Sequence, residues 1–158
     1  MLALGGKISI GKDFNLKNAS NINARYDAAV EIGNNVTTGD RFFLSSGRNS
    51  KVSIGHDCMF SHDVSIHGTN GHSIIDLTRQ ENRSTNNECP IEIGNHVWLG
   101  KGASVLYGSQ IGDGCVVGTA SMVRGIYPTN CIIAGNIARV IRENCTWDRR
   151  REIDFYDL

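Results

Sequence analysis

The stretch Ile91-Glu-Ile-Gly-Asn-His-Val-Trp-Leu-Gly-Lys-Gly-Ala-Ser-Val-Leu-Tyr-Gly-Ser-Gln-Ile-Gly-Asp-Gly-Cys-Val-Val-Gly, ending at Gly118, decides the fold. Apolar residues fall at Ile93, Leu99, Val105, Ile111, Val117 and Val123, one every six positions, and Gly94, Gly100, Gly112 and Gly118 directly follow four of them. A period of six fits neither the 3.6 of a helix nor the 2.0 of a strand lying on a flat sheet. It fits a solenoid in which each six-residue unit makes one short side. The anchor points to the axis and Gly, Asn or Asp takes the corner, where φ turns positive. Three sides make an 18-residue coil, and stacked coils line up their anchors as ladders in the core.

The same signature recurs outward from this stretch. Ile8-Ser-Ile-Gly-Lys-Asp, Val30-Glu-Ile-Gly-Asn-Asn, Val52-Ser-Ile-Gly-His-Asp, Ile91-Glu-Ile-Gly-Asn-His and Ser109-Gln-Ile-Gly-Asp-Gly are spaced by 22, 22, 39 and 18 residues. Coils of 22 residues carry four more than the basic 18, which predicts small bulges near 25–29 and 48–51. The 39-residue gap is one coil plus 21 residues, and the surplus lies in the polar stretch 68–88. A long loop on so regular a scaffold is where function is expected. After Val123 the pattern fades through Tyr127-Pro128, and the charged tail from Ala138 to Leu158 reads as partly helical, with Arg149–Arg151 a solvated run. The expected fold is therefore all-β: a left-handed parallel β-helix over 1–142, with one protruding loop at about 68–88, followed by a tail over 143–158 containing a short C-terminal helix.

Composition narrows the function classes. In 158 residues, sixteen basic and sixteen acidic side chains cancel, so the electrostatic footprint of a nucleic-acid binder is missing. No apolar run reaches the 18 or so residues of a membrane span. The opening Met1-Leu-Ala-Leu-Gly-Gly-Lys has no charged segment followed by an apolar one, so a cytoplasmic protein is expected. Five scattered cysteines without a C-x-x-C pair suit reduced, structural thiols.

Three further segments carry a resemblance. Ile91-Glu-Ile-Gly-Asn-His-Val-Trp-Leu-Gly, Gly118-Thr-Ala-Ser-Met-Val and Ala134-Gly-Asn-Ile-Ala-Arg-Val-Ile-Arg together resemble the hexapeptide-repeat acyltransferases, over roughly Ile8 to Arg142. The branch most similar is that of sugar and polysaccharide O-acetyltransferases, related to galactoside and maltose acetyltransferases. The resemblance implies a homotrimer with active sites between subunits, acetyl-CoA as co-substrate, and a catalytic His where the long loop leaves the helix. His72, in Gly71-His72-Ser73-Ile74, matches that position. Its chemistry also stands alone: a neutral imidazole is the side chain best matched near pH 7 to taking a proton from an attacking hydroxyl.

Other residues are assigned by the same resemblance. Trp98 would line the cleft for substrate or pantetheine, as an indole platform. Asn70 takes a position often acidic in the polysaccharide branch, with Asp76 another candidate partner for His72. Phe43 stands where galactoside acetyltransferases have a sugar-binding Asn, which points away from a simple β-galactoside acceptor. Gly100, Gly118 and Ala120 would leave a slot for pantetheine, and Arg124, Arg139 and Arg142 would take the phosphates of the cofactor. Arg124 substitutes for the family's Lys, which aligns with Gly125, and Ile137 replaces the usual Pro.

The expected activity is O-acetylation of a sugar or polysaccharide by direct transfer, without a bound metal. Two rivals share the scaffold. His62, His67 and His72, five apart with His56 six earlier, resemble the His set of γ-class carbonic anhydrases, which would make a zinc site. An antibiotic acetyltransferase is the other. A non-catalytic solenoid that only assembles with partners is a third reading.

Overall fold

The computed structural model describes residues 2–72, 74–78, 81–83 and 89–150. They form a left-handed parallel β-helix with three flat walls. The first wall stacks Leu2–Leu4, Asn21–Arg25, Phe43–Ser46, Ser65–His67, Ser104–Leu106 and Met122–Val123. The second stacks Lys7–Ile10, Ala29–Ile32, Lys51–Ile54, Ile91–Ile93, Gln110–Ile111 and Ile126–Tyr127. The third stacks Thr37–Thr38, Met59–Phe60, Trp98–Leu99, Val116–Val117 and Cys131–Gly135. The chain runs from second wall to third to first, and every step up is one coil.

Anchors meet where the period of six places them. Ile22, Leu44, Ile66, Val105 and Val123 line the first wall from inside; Ile32, Ile54, Ile93 and Ile111 the second; Phe60, Leu99, Val117 and Ile133 the third. All are buried, so the helix is stabilised by continuous ladders that no single coil could form. Between second and third walls, one corner repeats a positive φ at Asp13, Asn35, Asp57, His96, Gly114 and Asn130. Asp, Asn and Gly tolerate that conformation, and His96 is the bulkiest member of the column.

The corners also carry side-chain ladders. Lys12, Asn34, His56 and Asn95 each donate a backbone N–H to the next coil's side chain: Asn34 Oδ1, His56 Nδ1, Asn95 Oδ1 and Asp113 Oδ1, at 2.7–2.9 Å. On the neighbouring corner the Asn18 N–H goes to Asp40 Oδ1 and the Asp40 N–H to His62 Nδ1, at 3.1 and 3.0 Å. His56 and His62 therefore stand in ladder positions otherwise filled by Asn or Asp.

Insertions gather on a third edge, where the first wall turns into the second. The bulges expected near 25–29 and 48–51 are there, as turns at 26–28 and 47–50 with left-handed residues Tyr26, Asp27 and Asn49. One coil higher, the long excursion leaves after His67 and rejoins at Ile91. Within it, Ile74–Asp76 pairs antiparallel with Glu81–Arg83.

One expectation for the C-terminal part is corrected. The helix does not fade after Val123, because Tyr127 replaces Ile or Val as a buried anchor and Cys131–Gly135 adds a further rung. Ala138–Glu143 is a strand, antiparallel to Cys131–Gly135. Alternation brings Ala138 and Val140 against the core, and Arg139, Arg142 and Glu143 leave the outer edge charged. Among the described residues there is no helix; 151–158 lie outside them.

Candidate active site

The three insertions build one edge from sequence-distant pieces. His72 lies on the long excursion, exposed and four residues after its departure from the first wall at Gly68. Thr69 Oγ1 accepts the Gly71 N–H at 3.1 Å, which fixes the turn immediately before His72. Asn70 Nδ2 donates to the Tyr107 hydroxyl at 3.2 Å, and the Arg124 guanidinium lies 4.8 Å from the centre of the Tyr107 ring. Asn70, His72, Tyr107 and Arg124 thus share this edge, on consecutive coils. Tyr107 was not singled out from sequence; its signal was its place at the corner facing the long gap.

A cleft of about 460 Å³ is lined by Arg25, Tyr26, Ser45, Arg48, Thr69 and Gly71, the residue directly before His72. Phe43 packs on the outer face of the first wall against His67, ring centres 5.5 Å apart. Burial there pushes the His67 imidazole below its usual value, favouring the neutral ring. The side chain of Asp76 lies outside the described residues.

The rest of the expected site is on other faces. Trp98 is half-buried on the third wall and donates Nε1–H to Ser61 Oγ at 3.2 Å. An open depression of about 620 Å³ lies beside it, lined by Thr38, Met59, Phe60, Ser61 and His62 among others. Gly100 and Gly118 lead from the third wall into the next corner. A Cβ on Gly100 would come within 2.7 Å of the Val117 carbonyl oxygen, so coil stacking alone requires that glycine. Ala120 is an exposed corner residue at φ +55, stacked on Lys101–Gly102. Arg139 and Arg142 are exposed on the last strand. Within one chain, Asn70 and Arg124 meet through Tyr107, and His72 follows Asn70 by two residues; Trp98, Gly100, Gly118, Ala120, Arg139 and Arg142 are elsewhere.

The His triplet does not converge. His62 sits on the corner between third and first walls, His67 on the first wall and His72 on the insertion edge, so residues five apart face three directions. Among the described residues, no group of three His, Cys, Asp or Glu side chains could hold a metal ion.

Sequence reasoning also missed the tail. Arg149 is no solvated arginine: it reaches Asp57 Oδ1 at 2.8 Å, Thr37 Oγ1 at 3.1 Å, and the carbonyls of Asn35 and Cys58 at 3.0 and 2.9 Å. Trp147 is only 8% exposed, with its ring 6.1 Å from that of Trp98. Arg150 pairs with Asp148 at 2.9 Å, and Arg151 lies outside the described residues. Three thiols are buried, and burial pushes Cys58 to about 11 and Cys131 to about 12, as inert structural cysteines require.

Known proteins show the same architecture. Residues 90–125 match the family described as bacterial transferase hexapeptide (six repeats). An Escherichia coli (strain K12) protein named for O-acetyl transfer in lipopolysaccharide biosynthesis, WbbJ, is 33% identical over 148 residues, covering 87% of this chain and 72% of that protein. The polysialic acid O-acetyltransferase of Escherichia coli O1:K1 is 35% identical over 135 residues, 85% of this chain. The chain spans only 43% of that relative's length. Among solved structures, the polysialic-acid-specific acetyltransferase NeuO superposes with a TM-score of 0.88 at 31% identity, over 96% of this chain and 68% of the other. A galactoside acetyltransferase in complex with coenzyme A gives 0.70 at 25% identity, over 86% and 64%. No described helix is long and apolar enough to cross a membrane.

Proposed function

The chain belongs to the hexapeptide-repeat transferase family, and from that premise we propose that it moves an acetyl group from acetyl-CoA to a hydroxyl of a sugar or polysaccharide. The observation that carries this reading is the exposed His72 beside a cleft, at the root of the excursion that interrupts an otherwise regular solenoid. The imidazole takes the proton of the acceptor hydroxyl as its oxygen attacks the thioester carbonyl. The tetrahedral intermediate then expels the CoA thiolate, which receives that proton from the imidazolium. No acyl-enzyme is needed, and the buried thiols of Cys58, Cys115 and Cys131 are unsuited to forming one. Asn70, tied to Tyr107, shapes the floor beside His72.

Acetyl-CoA is the co-substrate of this reading; a galactoside acetyltransferase of the same fold holds coenzyme A. The small residues Gly100, Gly118 and Ala120 would admit pantetheine, and Arg124, Arg139 and Arg142 supply positive charge for phosphates. Because His72 and Trp98 lie on different faces of one rigid prism, a complete site calls for a second copy. Threefold assembly, with the insertion edge of one subunit against the third wall of the next, meets that need.

The test is thiol release from acetyl-CoA over a panel of sugars, polysaccharides and antibiotics, with wild type and His72→Ala. Acceptor-dependent release falling by about 10²-fold or more in the variant supports the assignment. Equal activity of the two proteins removes His72 from the mechanism, and activity confined to antibiotics selects the rival acceptor class.

A further inference from the structure

The cleft beside His72 is made by insertions, and those insertions bring arginine. Each 22-residue coil departs from the 18-residue repeat by four residues, and both departures fall on the edge from which the His72 excursion leaves. One supplies Arg25 and Tyr26, the next Gly47 and Arg48, and the excursion closes the cleft with Thr69 and Gly71. The coil above, Ile91–Ile111, has no such insertion and no arginine on this edge.

Charge is the distinguishing property of this cleft. Among the described residues neither Arg25 nor Arg48 has a carboxylate within ion-pair distance, whereas Arg41, Arg149 and Arg150 pair with Asp63, Asp57 and Asp148. The Arg48 guanidinium lies 5.5 Å from the centre of the Tyr26 ring, an arrangement that steadies the cation without neutralising it. Two guanidinium groups lining one concavity repel each other, and an anion seated between them relieves the repulsion while accepting paired hydrogen bonds. The remaining lining suits a sugar: Ser45 and Thr69 offer hydroxyls, and Tyr26, 60% exposed, offers a flat ring.

We propose that this cleft is an anion subsite for the acceptor, in which Arg25 and Arg48 take the carboxylate of an acidic sugar while a hydroxyl of the same saccharide is presented to His72. The proposal rests on the acetyl-transfer reading above and names the acceptor class within it. Thr69 and Gly71, joined by a hydrogen bond, both line the cleft and directly precede His72, so a saccharide seated there lies against the turn that carries it. A cofactor phosphate is the other anion that two arginines could hold, and the experiment separates the two.

The probes are trimers of α2,8-linked sialic acid and of galacturonic acid, each as free acid and as carboxyl methyl ester, titrated calorimetrically into wild type and Arg25→Gln/Arg48→Gln. At least one acid is expected to bind at least 10-fold more tightly than its ester, and the double variant to lose that preference. Both arginines are exposed, so the melting temperature should not change. In the transfer assay the variant should raise the KM of the acidic acceptor and leave that of acetyl-CoA unchanged. Equal binding of acid and ester, no binding of either acid, or a raised KM for acetyl-CoA overturns the proposal, the last by assigning the cleft to the cofactor. The titration needs no turnover, so failure of acetyl transfer and failure of the subsite are read separately.

Discussion

The imidazole of His96 lies flat on the indole of Trp147, ring centres 4.4 Å apart and planes 8° apart, although 51 residues separate them. The stack is closed at both ends. His96 Nε2 meets the Trp147 carbonyl oxygen at 2.8 Å, and the Trp147 Nε1–H donates to the His96 carbonyl at 2.7 Å. His96 Nδ1 meets Asp57 at 2.6 Å, and Asp57 in turn holds Arg149. The bulkiest residue of that corner column is thus the one that grips the tail. Trp147 also abuts Trp98, so the tail forms one side of the environment of an expected cleft residue.

Trp147→Ala should free that side. Loss of a buried indole costs about 3–5 kcal/mol in a packed core, and the stack adds about 0.5–1.5 kcal/mol. The sequence has only two tryptophans, so in Trp147→Ala and Trp147→Phe the emission is that of Trp98 alone. Emission shifted to the red in the Ala variant, and much less in Phe, is expected. The Cys145 amide, bonded to the Asn130 carbonyl, should lose hydrogen-exchange protection in step. Identical emission and protection in both variants would show that the tail is held by something other than Trp147.

Acid should release the tail through Asp57. Burial raises this carboxyl, but the hydrogen bonds from Arg149 and His96 outweigh burial and leave it below its usual 3.8. A carboxyl depressed in the folded state contributes stability that is complete above its unfolded value and is lost as pH falls through the folded one. The red shift of Trp98 in Trp147→Phe should therefore appear below about pH 4. In the same background Asp57→Asn should show a shifted emission already at pH 7 and little further change on acidification. An acid transition unaltered by Asp57→Asn would place the sensing group elsewhere.

How much of this was legible before the structure depends on the range of each interaction. The walls were readable because Ile93, Leu99, Val105 and their successors repeat every six residues, and a repeat needs only its neighbours to be interpreted. The insertion edge followed from the same arithmetic. The last coil was misread because Tyr127, long enough to reach Arg124 and Ala138 carbonyls with its hydroxyl, fills the anchor site without looking like one. The tail was illegible because Trp147 and Arg149 find partners 51 to 114 residues away, and their own segment has no period. The roles of His56 and His62 could have been found, since both align with Asn or Asp in the preceding coil. Whether Trp98 and His72 share a site was beyond a single chain's sequence, because one prism presents them on separate faces.

A repeated steric requirement lies in the column Gly11, Gly33, Gly55, Gly94 and Gly112, at the end of the second wall. These glycines are not at positive φ; their role is space. A Cβ on Gly55 would lie 2.6 Å from the carbonyl carbon and oxygen of Gly94 in the next coil, and backbone cannot yield as a side chain does. Gly55→Ala must therefore push two coils apart, lengthening the bond from the Gly55 N–H to the Ile93 carbonyl, now 2.8 Å. Overpacking of this kind costs about 1–3 kcal/mol, which in a chain of this size lowers the melting temperature by roughly 2–12 °C. Gly71→Ala is the contrasting case: its Cβ would meet nothing within 4 Å, and the penalty is only that of a left-handed alanine at φ +76. That strain, at most about 1–2 kcal/mol, falls on the exposed turn before His72, which has room to relax locally without disturbing the stack. Thermal unfolding should thus separate the pair, with Gly55→Ala melting early and Gly71→Ala close to wild type but slower in acetyl transfer. Equal melting of Gly55→Ala and wild type would mean that the coils are not stacked as tightly at this corner as the 2.6 Å approach demands.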